Sequence, residues 1–189
     1  VVIGVALSLA CEGLISKEQG LEGITISTLS LFVAFVVTLV PFYHGALRHM
    51  DDTYIHNQQA LQSQDMALIV DFLLLFLHAI TFIVLSLLIA KPNHFSWVIC
   101  FVLLIDVAWG VFAYCTSPSP KALTAEGKWT IINFVFVVVG ITTLFWLDVS
   151  LDQKTSDNKL AILIASACLI RSFFDYVWCR DFYFPQEPK

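Results

Sequence analysis

Charge is scarce in this chain. Only 13% of its 189 residues are charged and 58% are hydrophobic, whereas an average soluble chain carries about 25% and 45–50%. A single domain of this size in water cannot hide that much apolar surface. The few basic residues are scattered and the formal charge is −5, so the electrostatic footprint that nucleic-acid binding requires is absent. The five cysteines, Cys11, Cys100, Cys115, Cys168 and Cys179, include no CxxC pair. Thiol redox chemistry and structural zinc therefore have no support, and Cys100, Cys115 and Cys168 read as small apolar packing residues. Also missing are a serine elbow, a phosphate-cradling glycine loop and an HExxH metalloprotease signature.

What is present is a series of long apolar runs, over 28–47, 66–90, 95–115, 130–149 and 160–178. A helix rises about 1.5 Å per residue, so about 20 residues cross a hydrocarbon core of about 30 Å. The fold class expected is an all-α integral membrane protein, a multipass bundle of five transmembrane helices embedded in a lipid bilayer. Residues 1–23 are expected to form an interfacial or re-entrant segment and a hinge, with a truncated transmembrane helix as the alternative for 1–11. Residues 24–180 form the bundle and 181–189 an aromatic tail.

The connections are short. The segment 16–23 reads SKEQGLEG, 48–65 is polar and glutamine-rich, and Ser117-Pro118-Ser119-Pro120 is a firm helix breaker. None is long enough to form a domain, so function falls to the bundle and its rims. With five spans, the N-terminal segment and the loops 91–94 and 150–159 share one side, here side one. Its basic residues are Lys17, Lys91, Lys154 and Lys159, against Arg48, Lys121, Lys128, Arg180 and Lys189 on side two. A difference of one is too small for the positive-inside rule to set the orientation.

The informative residues are those a bilayer rejects: Asp71, His78, Asp106, Arg171 and Asp175. A charge at the centre of a membrane helix costs about 2.5–3.5 kcal/mol on insertion scales. Such groups persist when they face the protein interior, pair, lose their charge or line water. Asp71 and His78 are seven apart and share a helix face, as do Arg171 and Asp175 at four apart. The alternating direction of the spans brings His44, Asp71, Asn133, Arg171 and Asp175 toward side two, with Asp106 near the midplane as a floor. Arg171 and Asp175 are expected either to offset part of each other's burial as a same-helix pair or, equally, to serve a network between helices.

The leading expectation is a channel or transport pathway for an ion or small polar solute, completed by self-association, with Asp71, His78, Asp106, Asn133, Arg171 and Asp175 forming the polar interior. It requires no cofactor. One alternative is a membrane-embedded, metal-dependent enzyme that uses His44, His49, Asp52, Asp71 and Asp175. His49, Asp52 and His56 are spaced to offer three ligands for a divalent metal on one helix face, although any wet helix end can carry such a run. The other alternative is a non-catalytic subunit in which Arg171 and Asp175 specify assembly with another membrane protein. Trp97, Trp129, Trp146 and Trp178 are expected as interfacial anchors, and the tail 181–185 is expected along the side-two surface or plugging an entrance.

Overall fold

Large apolar side chains cover the outside of this molecule, and several polar and charged ones are buried beside its apolar core. A computed structural model describes residues 2–15, 20–55, 65–116, 124–147 and 157–185. They form helices α1 (Val2–Leu14), α2 (Ile26–Met50), α3 (Asp65–Leu87), α4 (Pro92–Thr116), α5 (Ala125–Trp146), α6 (Asp157–Trp178) and the single turn α7 (Arg180–Tyr183). A π-helical turn, Asp51–Ile55, extends α2. Five of these helices are long and apolar enough to cross a membrane. Phe72, Phe76, Phe134, Val138, Phe173 and Val177 project outward from them, while His78, Asn133, Arg171 and Asp175 are buried.

Helix starts follow local chemistry. Thr25 caps α2 in a reciprocal box: Thr28 N–H donates to Thr25 Oγ1 at 3.1 Å, and Thr25 N–H donates to Thr28 Oγ1 at 3.0 Å. Thr124 caps α5, accepting from Gly127 N–H, so this helix begins five residues before the apolar run that marks it in the sequence. The early turn contains Glu126 and Lys128, whose polarity conceals it from a hydropathy reading. At 13 residues, α1 is about 20 Å long, short of a full crossing. It lies along α3 with Ala6 and Ala10 fully buried.

The helices pack chiefly as α2 on α6, α4 on α5, α1 on α3 and α3 on α4. Toward side one the interior is apolar, built from Leu31, Phe35, Leu85, Ile89, Phe95 and Ala161. Toward side two it turns polar. Where α4 and α5 cross, Gly110 permits the contact, because an added Cβ would overlap the Thr130 hydroxyl and lie 3.3 Å from the Glu126 carbonyl.

Pro41 lies inside α2 and has no N–H, so the carbonyl of Val37, four residues earlier, loses its helical partner. In a hydrocarbon surrounding an unbonded carbonyl costs several kcal/mol. Ser172 supplies the missing donor from α6, with its hydroxyl 2.5 Å from Val37 O. The proline and the serine are thus one device that fixes α2 against α6. Ser172→Ala is expected to cost about 1–3 kcal/mol, read as a lower unfolding midpoint in detergent. Pro41→Ala restores the helical bond, so Pro41→Ala/Ser172→Ala is expected to regain most of the loss. Additive losses in the double variant would refute this coupling.

Candidate functional site: a polar interior between two cavities

Three clusters of polar side chains occupy the side-two half. The first centres on Asp71 of α3, whose Oδ1 accepts from Trp109 Nε1–H at 2.7 Å. Its Oδ2 accepts from the Tyr54 hydroxyl at 2.6 Å and from His49 Nε2 at 3.1 Å. The other imidazole nitrogen, Nδ1, lies 3.1 Å from Glu126 Oε1. Each ring nitrogen of His49 therefore faces a carboxylate oxygen. Carboxylates accept, so the ring donates from both nitrogens and carries a positive charge between two negative ones.

The second cluster lies deeper. His78 donates from Nδ1 to the Leu74 carbonyl at 2.8 Å, which fixes the tautomer because a carbonyl has no proton to give. Its Nε2 then faces Asp106 Oδ1 at 2.8 Å. The two are within ion-pair distance without hydrogen-bond geometry, so Nε2 is buried with no hydrogen-bond partner. Asp106 Oδ2 accepts from Asn133 Nδ2 at 3.2 Å, and Asn133 Oδ1 accepts from Arg171 Nε at 2.7 Å. This line joins α3, α4, α5 and α6 at one depth. Arg171 is 4% exposed, and its Nη1 has no hydrogen-bond partner.

The third cluster closes the side-two end. Tyr183 of α7 donates to Asp175, its hydroxyl 3.0 and 3.1 Å from the two carboxyl oxygens. Burial beside that carboxylate pushes the Tyr183 phenol well above its usual value. Gly45 on α2 gives the ring space, since a Cβ there would lie 3.2 Å from both Tyr183 Oη and Trp129. Phe182 packs edge-on to Trp129 at 4.9 Å between ring centroids, and Arg48 bonds the Phe182 carbonyl at 3.3 Å. The tail thus packs over the side-two end of the bundle, with Tyr183 bordering the first cavity.

Two cavities run through this arrangement. The first, about 60 Å³, is bordered by His49, Asp71, His78, Asp106, Asp175 and Tyr183, among others. The second, about 130 Å³, lies between α4, α5 and α6 and is mostly apolar. Their linings are ordered by depth. On α4, Ser96, Cys100 and Leu103 belong to the second cavity, Asp106 and Trp109 to the first. On α5, Trp129 and Asn133 line the first and Gly140 and Thr143 the second. Arg171 borders both and, among the described residues, is the single lining residue that they share.

All six residues expected in the polar interior, Asp71, His78, Asp106, Asn133, Arg171 and Asp175, line the first cavity. The direct Arg171–Asp175 pair expected from their spacing is replaced by bonds to other helices: Arg171 turns to Asn133 and Asp175 to Tyr183. Of the residues in the enzyme alternative, His49 joins Asp71 and Asp175 at the cavity. His44 instead lies against the Tyr183 ring at 4.8 Å, with Nδ1 3.4 Å from the Tyr176 hydroxyl. Asp52 is exposed, and His56, the third member of the metal set, lies outside the described residues. Among the described residues no three His, Cys, Asp or Glu side chains are grouped to hold a metal ion.

Sequence reasoning missed Tyr54, Trp109 and Glu126. Trp129 also departs from its expected place as a headgroup anchor: α5 starts early, so its indole lies one turn inside and lines the first cavity. Trp146, 84% exposed, keeps the outward position expected of an anchor. Cys100 and Cys168 are buried, whereas Cys115 is exposed rather than packed. Burial pushes the Cys179 thiol up to about 12, which makes it a packing group and not a nucleophile. No family model, curated protein or solved structure matches this chain.

Removing the Tyr183 hydroxyl leaves the buried Asp175 carboxyl without its donor from α7. Tyr183→Phe is expected to destabilise the protein by about 1–3 kcal/mol at neutral pH. A phenol whose value is raised by folding contributes stability that is full below its unfolded value of about 10 and is lost as pH rises beyond it. The gap between wild type and Tyr183→Phe should therefore narrow above pH of about 10. Thermal midpoints across pH 7–11 check this, and a gap that stays constant or widens would refute it.

Proposed function

We propose that this chain is a multipass membrane protein whose interior forms a transport pathway for a small polar solute or ion. The observation that carries this reading is the pair of cavities in series, in opposite halves of the bundle, meeting at Arg171. Along α6 their linings extend from Leu160 to Asp175, which is about 22 Å of a hydrocarbon core of about 30 Å. A purely architectural network has no need of empty space on both sides.

The chemistry differs between the halves. The side-two cavity offers charged and hydrogen-bonding groups that substitute for a solute's hydration. The side-one cavity offers little beyond hydrocarbon, and narrow apolar passages gate by shedding water. Arg171 disfavours cations at the junction, beside the Asp71, Asp106 and Asp175 carboxyls of the same cavity. Both cavities lie within one chain, so self-association is compatible with the pathway without being required by it.

The enzyme alternative is supported less well. A general base needs a lone pair free to take a proton, and both nitrogens of His49 are engaged by carboxylates. Asp71 accepts from three donors.

Reconstituted vesicles test the proposal. Wild-type protein is expected to carry small polar solutes or anions above the rate of empty vesicles, measured with entrapped indicator dyes and by isotope uptake. Asp106→Ala, which removes the partner of both His78 and Asn133, is expected to change that rate tenfold or more while the protein still purifies as a folded species. Wild-type vesicles as tight as empty ones, or unchanged flux in folded Asp106→Ala, would defeat this reading.

A further inference from the structure

The acids around the first cavity already have donors. Asp71 has three, Asp106 has Asn133 and lies against His78, and Asp175 has Tyr183. Arg171 is different. Its Nε is spent on Asn133, but Nη1 is buried with no partner, at the seam of the two cavities. A buried guanidinium nitrogen with unmade hydrogen bonds is costly, and the acceptor it lacks is an oxyanion, which guanidinium binds with charge-assisted hydrogen bonds.

The second cavity sets a different demand. It is lined by Leu103, Phe136, Val139, Leu160, Leu163 and Ile164, among others, and measures about 130 Å³. It is open at one side, where Val139 and Leu163 are exposed, and its apolar lining favours hydrocarbon over water. The first cavity, at about 60 Å³, has room for a small polar head group. A carboxylate is a compact head that offers Arg171 the oxyanion it lacks.

One molecule satisfies both cavities if a small anionic head ends a short hydrocarbon chain. We propose that this protein binds an aliphatic monocarboxylate at the seam of its two cavities, with the carboxylate on Arg171 and the chain among the apolar side chains of α4, α5 and α6. This names the solute class for the pathway proposed above and rests on that reading, although binding is measured independently of flux. The acid can arrive from water as a free short-chain species or from the bilayer as a fatty acid.

The test uses the full chain in phosphatidylcholine nanodiscs, with indole fluorescence as the readout because Trp109 and Trp129 line the first cavity. Acetate, butanoate and hexanoate are titrated from water, and a parallel series uses nanodiscs containing oleate. Saturable binding is expected, with affinity rising about fourfold per methylene, the ratio that corresponds to about 0.8 kcal/mol, until the apolar cavity is filled.

Arg171→Gln is expected to weaken every acid at least tenfold. Because that variant disturbs a buried network, Ala167→Phe provides the second arm: Ala167 lines the apolar cavity, and filling it should abolish the chain-length dependence while acetate still binds. Binding by the short acids identifies a free acid as the ligand, whereas binding by oleate alone identifies a bilayer source.

The site is overturned by any of three results: no saturable response to any acid in the folded wild type, equal affinity across the series, or an unchanged series in Ala167→Phe. Binding in nanodiscs with no flux in vesicles would leave the site standing and remove the pathway. Flux without binding would do the reverse.

Discussion

A polar group surrounded by hydrocarbon has only other protein groups to bond, and this constraint organises the side-two half of the bundle. Water cannot repair an omission there at low cost. Proline at position 41 frees the Val37 carbonyl, and a serine from another helix bonds it. Asp71 lies on α3, and its three donors come from α2, the turn that extends α2, and α4. In each case the partner comes from a different element, so satisfying the bond also fixes a helix–helix register. Apolar contact with lipid tails gives helices little reason to prefer one neighbour over another. The polar interior supplies that preference.

The same constraint explains what could be read from the sequence. Helix number and type follow from apolar run length, because in a bilayer run length is set by membrane thickness. All five spans appear within a few residues of the runs that mark them. The start of α5 is the largest departure, because Glu126 and Lys128 look like loop when viewed linearly. Inside the fold Glu126 is tied to His49, so its charge is a partner for another residue and not a sign of exposure.

The candidate site was legible to a comparable degree and failed for a related reason. Ionisable residues within apolar runs stand out because insertion selects against them, and all six expected in the interior line the first cavity. Aromatic donors do not stand out. Trp109 and Tyr54 contribute N–H and O–H groups to Asp71, yet in a chain with 16 Phe, five Trp and five Tyr nothing separates an indole that bonds from one that only packs. Pairing was equally hidden. Helical spacing put Arg171 beside Asp175, whereas the choice of Asn133 and Tyr183 as partners depends on how α5 and α7 approach α6.

That choice of partners matters beyond stability. Had Arg171 and Asp175 neutralised each other along their own helix, the interior would present a closed ion pair with little to offer a passing molecule. Tyr183 instead holds Asp175, and Asn133 takes only Nε of the guanidinium. One cationic edge of Arg171 stays uncommitted at the level where polar lining gives way to hydrocarbon. An amide at 133 supports this where a carboxylate would not, since a carboxylate would neutralise the guanidinium's charge as well as accept its hydrogen bond. Asn133 orients Arg171 without neutralising it, and Asp106 and Asp175 are the acids that share its cavity.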